Sequence, residues 1–338
     1  MKNTPIYQCV TTAEKIEKYV HGYSVVAFDF ETAPNEPYRQ EDKAALDPAK
    51  AHIVGCSFSV EPGTGIYIPV AHKIGTNIDQ TAFYDFLGKF LTDASIIKIA
   101  HNIAFESMMA YAKGIVIQPP VYDTICAAQM TLKSAYDFRK LNECGLKHLA
   151  GELLDEPLPT FASVTYGKHF DELPAQDAET IRYGAADSDF ALRLYFLFNN
   201  WFDRYLSKHR YIVENIESPT AVYLGIMKGN GIPVNLPLMQ ECKTEAEAEM
   251  ERVRKEIAFI IGDVNIGANC STQAFKNYLY QDLKLPVLKT TGTNREAADD
   301  MTMILLKEWC AQNCPGSLPW CRSIASGANS KVPTSTAI

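Results

Sequence analysis

No apolar run in the chain approaches the ~20 residues needed to cross a bilayer, and the N-terminus (MKNTPIYQCV) lacks the apolar core of a secretory leader. No membrane association is expected, and a cytoplasmic location follows. A cysteine framework is missing as well. Nine are scattered without a CxxC pair, so they read as reduced, mostly structural thiols. Cys310, Cys314 and Cys321 lie nearest one another, but three sulfurs without a nearby histidine make a poor zinc site. Positive charge is scarce: 32 Lys and Arg stand against 40 Asp and Glu, a net charge of -8. That argues against a broad basic face for duplex nucleic acid, which works by neutralising many phosphates. A short single strand can still be held by cations, stacking and a local basic rim. The most basic stretch, residues 133–148 with Lys133, Arg139, Lys140, Lys147 and His148, reads first as a solvated surface and second as a DNA contact. Internal repeats and low-complexity segments are absent.

What the chain does have is core-forming material, 47% hydrophobic over 338 residues, enough for about two domains. After a short amphipathic helix near Thr12 to Tyr19, three strand-like runs end near Thr32, Val60 and Val70, the last two separated by Glu61-Pro62-Gly63. Phe83, Phe86, Leu87 and Phe90 then recur at helical spacing. A fourth strand at Ile96 to Ala100, a helix from Ile103 to Tyr111 and another after Asp123 follow, Asp123 being placed as a helix cap. A long helix runs from about Ala178 to Trp201. Strand, strand, strand, helix, strand, helix predicts an α/β fold, a mixed sheet flanked by helices. Beyond residue 204 the pattern is nearly all helical, so the expected domains are 1–204 and a smaller, mostly helical 205–338.

The stretch that stands out is Val25 to Thr32 (VVAFDFET). Side chains alternate along a strand, so Asp29 and Glu31 share one face while Phe30 enters the opposite layer. Two carboxylates crowded on an apolar strand are costly without a counter-charge, and a divalent cation with oxygen ligands supplies one. The alternative is a strand that has ended, with its acids solvated before Pro34. Elsewhere Tyr183 and Asp187 are four apart on the long helix and share a face, as do Asn102 and Glu106 at a helix start. Asp189 points elsewhere.

These three groups resemble the proofreading exonuclease domain of family A DNA polymerases, of the DEDD superfamily with a ribonuclease H-like fold. The D-x-E motif is Asp29 and Glu31; the second motif is Asn102, Phe105 and Glu106; the Y-x-x-x-D motif is Tyr183 and Asp187. Arg182 stands where the histidine class of the superfamily carries its base, so the tyrosine class is indicated. The resemblance implies two-metal hydrolysis with Mg2+ or Mn2+. In it Asp29 bridges both ions, Glu31 and Asp187 complete the first, Glu106 serves the second, and a neutral Tyr183 orients the attacking water. Substrate contacts are implied at Thr32, Asn102, Phe105 and Phe161, with Phe161 stacking on the terminal base. Helix capping alone would also account for Asn102, and core burial for Phe161.

One departure is Glu106, where the family usually has Asp; the extra methylene moves the carboxylate by about 1.5 Å. More weakly, GIMKGNGIPVN and the segments after it resemble the start of the polymerase thumb, without counterparts of the palm aspartates or the fingers helix. The implied activity is 3′-5′ cleavage of single-stranded DNA ends to nucleoside 5′-monophosphates, with no DNA synthesis by this polypeptide. Two arrangements stay open: a free-standing exonuclease with a helical appendage, or one partnered by a polymerase palm and fingers on another chain. An exoribonuclease and a non-catalytic DNA-end-binding scaffold are the alternatives.

Overall fold

The structure is a computed structural model that describes residues 5–132, 141–262, 264–267, 272–291 and 295–313. Of the basic stretch, Lys133, Arg139 and Lys140 lie outside the described residues, as do Cys314 and Cys321. The chain forms two compact units, Met1–Ile232 and Pro233–Ile338.

Unit 1 is built on a six-stranded mixed sheet. Its strands are β1 (Ile6–Cys9), β2 (Val25–Pro34), β3 (Ala51–Ser59), β4 (Thr64–Pro69), β5 (Ile97–Ala100) and β6 (Val121–Asp123), arranged β1-β4-β3-β2-β5-β6. The expected three-strand meander is β2-β3-β4, antiparallel throughout. Parallel pairs β2/β5, β5/β6 and β1/β4 extend it on both sides. The edge strands β1 and β6 are additions to the four expected strands.

Alternation along β2 divides its side chains between two layers. Val26, Phe28 and Phe30 enter one core with Phe58 of β3 and with helices α1 (Ala13–Val20), α2 (Gln80–Thr92) and α3 (Ile103–Tyr111). There Phe28 and Phe58 of the sheet pack edge to face on Phe86 and Phe90 of α2, Phe58 and Phe90 with centroids 5.0 Å apart. Ala27 enters the other core, with α4 (Thr124–Leu132), α5 (Leu146–Leu154) and α7 (Ala178–Arg204); the short α6 (Phe161–Thr165) lies between α5 and α7 in sequence. Helix α7 crosses β1 to β4 on this side, its N-terminus capped by the Asp177 carboxylate.

Helices α8 (Ser207–Ile212) and α9 (Ser218–Asn230), joined by a π-helical turn at Val213–Glu217, also belong to unit 1. The compact unit thus runs past the expected boundary near Tyr205 to Ile232. The reason is a close helix pair: the Ser107 hydroxyl donates to the Val222 carbonyl at 2.8 Å, and a side chain at Gly225 would collide with the Ala104 carbonyl. Only glycine permits that approach of α9 to α3. Unit 2 holds α10 (Leu236–Ile261), α11 (Gln273–Asn277) and α12 (Asp300–Asn313). Phe275, Leu279, Leu285, Ala298, Leu306 and Cys310 form its small core. Among the described residues, no helix is long and apolar enough to cross a membrane.

Candidate active site

The pairing of β2 with β5 stops at Ala27 opposite Ile99, because β5 ends and α3 begins three residues later. Beyond that point β2 continues against β3 alone. Asp29 and Glu31 occupy this extension, followed by a register shift between Glu31 and Thr32 at which Val54 of β3 is the extra residue. Both carboxylates point to the α7 side, as alternation requires. From α7, Asp187 reaches the same place. Asp29, Glu31 and Asp187 each offer a carboxylate oxygen, and the three oxygens lie within 4.8 Å of one another.

Glu106 approaches from α3. It is 2% exposed, and its Oε2 has no hydrogen-bond partner among the described residues. The helix is aimed from its base: the Asp123 carboxylate accepts the N–H groups of Asn102 and Ile103 at 2.9 and 3.0 Å, and that of Ile125 at 2.9 Å. Asp123 is therefore a cap for α3 as well as for α4. Asn102 itself has a left-handed backbone (φ 75°), a conformation asparagine tolerates, and its side chain makes no capping bond.

Electrostatics follow from packing four acids together. Burial, and then the charge of Asp187, raises the Asp29 carboxyl well above its ordinary range. Burial followed by Asp29 and Asp187 does the same to Glu31, and burial followed by Asp29 to Glu106. Asp187 is pushed up by burial to about 6. Against this trend acts Lys147, whose charge lowers the carboxyls of Asp29, Glu31 and Asp187.

Tyr183 lies one turn before Asp187 on α7 and is 6% exposed. Burial, then Glu31, raises its phenol beyond the ordinary value, so the hydroxyl is neutral at pH 7. Lys147 donates to that hydroxyl at 2.7 Å. Sequence reasoning missed Lys147 by treating it as part of the basic surface. The available signal was its spacing to Ala150 and Leu154, which places it at the border of the apolar stripe of α5.

The remaining expected residues are spread around the four acids. Phe161 is 44% exposed, stacked against Phe170 and edge-on to Tyr183 at 6.2 Å. It is therefore not a core phenylalanine. A groove of about 370 Å³ beside Tyr183 is lined by Pro157, Leu158, Ser163, Tyr166, Glu179 and Arg182, among others. Phe105 is half-buried against the α3 side of the sheet. Thr32 uses its hydroxyl on the Ala45 carbonyl at 2.8 Å, which ties down the loop after β2. Asp189, expected to point elsewhere, accepts from Tyr7, the Gly63 N–H and Arg193.

Hard oxygen donors converging from two elements suit a divalent cation such as Mg2+ or Mn2+. The unpartnered Oε2 of Glu106 and the mutual repulsion of the acids fit the same requirement.

The sequence pattern of the 3′-5′ exonuclease domain of family A DNA polymerases matches residues 5–201. DNA polymerase I of Pseudomonas aeruginosa is 25% identical over 295 residues, which cover 84% of this chain and 30% of that protein. DNA polymerase I of Chloroflexus aurantiacus is 33% identical over 157 residues, covering 44% of this chain and 15% of that one. The chain thus spans less than a third of the length of these relatives. The polymerase domain of Pol1 from M. smegmatis shares the fold at a TM-score of 0.61 with 16% identity, over 90% of this chain and 46% of that one. With a matching family pattern across most of unit 1 and its three motifs gathered at one end of β2, the chain belongs to the 3′-5′ exonuclease family of the family A DNA polymerases.

Proposed function

We propose that the site cleaves single-stranded DNA from its 3′ end and releases nucleoside 5′-monophosphates, as a proofreading-type exonuclease. The observation that carries this reading is the convergence of Asp29, Glu31 and Asp187 oxygens within 4.8 Å, with buried Glu106 behind them. Two divalent ions, Mg2+ or Mn2+, supply activation of water and stabilisation of the leaving oxygen when bound, with these four carboxylates as their holders. Tyr183 stays protonated and orients the nucleophile through its hydroxyl. Phe161 offers an exposed ring to the terminal base, a contact that every base can make. The bonding of the Thr32 hydroxyl to Ala45 leaves it a supporting role beside the substrate.

The relatives are DNA polymerases, and this favours DNA over RNA and action beside a polymerase palm and fingers. In that reading residues 205–338, of which those up to Ile232 fold with unit 1, resemble part of a polymerase thumb.

The test is digestion of a 5′-labelled single-stranded DNA, with a matched RNA, in Mg2+ or Mn2+, using wild type, Asp29→Ala and Glu106→Asp. A ladder shortening from the 3′ end of DNA, absent in Asp29→Ala, is the expected result. Preferential digestion of RNA would make the enzyme an exoribonuclease. Binding of the DNA end without cleavage, restored to cleavage by Glu106→Asp, would make it a scaffold disabled by its longer carboxylate.

A further inference from the structure

The Lys147 ammonium donates to the Tyr183 hydroxyl at 2.7 Å and lies 4.4 Å from the centre of the same ring. An ammonium has donors and no acceptor, so it can only occupy a lone pair of the phenol oxygen. The phenol proton is then left to point elsewhere. With Lys147 on one side, the Tyr183 O–H is directed as a donor into the space it shares with Glu31 and Asp187, whose charges both act on it. The same ammonium acts on Asp29, Glu31 and Asp187 together, so it also sits as the local counter-charge of the acids. Its placement is built into the fold: Leu146, Leu149 and Ala150 are buried around it, and α5 packs on α7.

We propose that Lys147 is a positioning residue of the exonuclease site, fixing the direction of the Tyr183 hydroxyl and holding the place of a cation among the carboxylates, in competition with the metal ions. This rests on the proposed metal-dependent reading. Two consequences separate it from a merely structural lysine. Removing the charge makes the site bind metal more tightly, because one repulsive charge is gone. It also slows the chemical step through Tyr183 and not through substrate binding.

Both are measurable on the purified protein. Free Mn2+ is followed by electron paramagnetic resonance during titration of wild type, Lys147→Met and Lys147→Arg. Lys147→Met, which keeps the apolar stem, is expected to bind Mn2+ about tenfold more tightly, the order for removing one elementary charge from a few ångströms of a divalent ion. Lys147→Arg, which keeps the charge, stays within about twofold of wild type on the same argument. Single-turnover cleavage at saturating Mn2+ is slower in Lys147→Met and in Tyr183→Phe, and the double variant is no slower than Tyr183→Phe alone. Unchanged or weaker Mn2+ binding in Lys147→Met, or rate losses that multiply in the double variant, would overturn the proposal. Should Lys147→Met not fold, Lys147→Gln carries the same expectations. Asp29→Ala separates the two levels of argument. Mn2+ binding by wild type that Asp29→Ala removes establishes the metal site whatever Lys147 does, whereas no binding by wild type removes the proposed function and this inference with it.

Discussion

The ring of Tyr67 lies where a side chain on Gly184 would stand: a Cβ there would come within 2.5 Å of the Tyr67 ring. Gly184 directly follows Tyr183 on α7, and Tyr67 on β4 is fully buried, its hydroxyl bonded to His72 at 2.6 Å. The tyrosine thus forms the floor on which this turn of α7 rests, and a Gly55 side chain would meet it from β3 as well. Gly184→Ala is expected to cost about 1–3 kcal/mol, as over-packing does in a tight core. It should also slow cleavage, because lifting α7 moves Tyr183 and Asp187 off the carboxylates of β2. Denaturant unfolding and single-turnover rates check the two parts. A stable, fully active Gly184→Ala would show that α7 can shift without cost.

Crowded acids make the metal-free protein sensitive to pH in a definite direction. Asp187 titrates at about 6 in the folded protein, above the ordinary ~3.9 of an unfolded chain. Stability from this group is therefore fully present below pH ~4 and is lost as the pH rises through about 6. His72 is buried and His52 and His101 are half-buried; desolvation lowers the pKa of all three, and they act in the opposite sense. A comparison of variants cancels them. Without metal, Asp187→Asn is expected to match wild type near pH 4 and to exceed it by about 1–2 kcal/mol at pH 7, allowing for solvent screening at the half-buried site. Thermal melts across pH 4–7 in a chelator give the difference directly. A gap that is constant with pH would mean that the acids do not strain the free site.

Asp123 is a structural carboxylate, in contrast to the four proposed to hold metal. It is 1% exposed and accepts three backbone N–H groups at the starts of α3 and α4. Those bonds hold its pKa down, although burial wins and raises it to about 6. Asp123→Ala leaves buried donors unpaired and is expected to cost about 2–4 kcal/mol, more than a single surface cap. Activity per folded molecule should fall only modestly, through loosening of the turn that carries Glu106. Loss of stability with activity largely kept distinguishes it from Asp29→Ala, for which the reverse is expected.

Much of this was legible because the site lies on regular elements. Alternation placed Asp29 and Glu31 on one face of β2, and four-residue spacing placed Tyr183 above Asp187 on α7, since both are local geometry. What escaped was non-local. The edge strand Ile6–Cys9 is four residues long with Ile6 63% exposed, so it carries little hydrophobic pattern. Strand Val121–Asp123 is too short to show a period and reads as the approach to α4. The extent of unit 1 depends on the Ala104–Gly225 approach, which no linear pattern encodes. Asn102 sits at the α3 start, but its side chain does not cap the helix; the cap comes from Asp123, far along the chain. Lys147 looked like solvated charge because its partner lies on another helix.

Phe161 offers the sharpest separation of binding from chemistry. Its ring is held by Phe170 behind it, with planes 27° apart, and by Tyr183 at its edge, yet 44% of the residue remains exposed. Burial would favour covering so large an apolar surface, and the fold leaves it open beside the Tyr183 ring. Stacking of a base on an aromatic ring contributes about 1–3 kcal/mol, so Phe161→Ala is expected to raise KM for single-stranded DNA by roughly 5- to 150-fold. Because a phenyl ring offers no ligand to a metal ion, kcat should change far less and Mn2+ binding not at all. Phe161→Tyr should behave like wild type, since the stacking face is kept. Steady-state kinetics on an oligonucleotide and on one ending in an abasic 3′ residue complete the argument. The abasic end should bind wild type and Phe161→Ala alike, whereas a Phe161→Ala defect that persists on the abasic end would mean that the ring supports α6 and does not stack on the base.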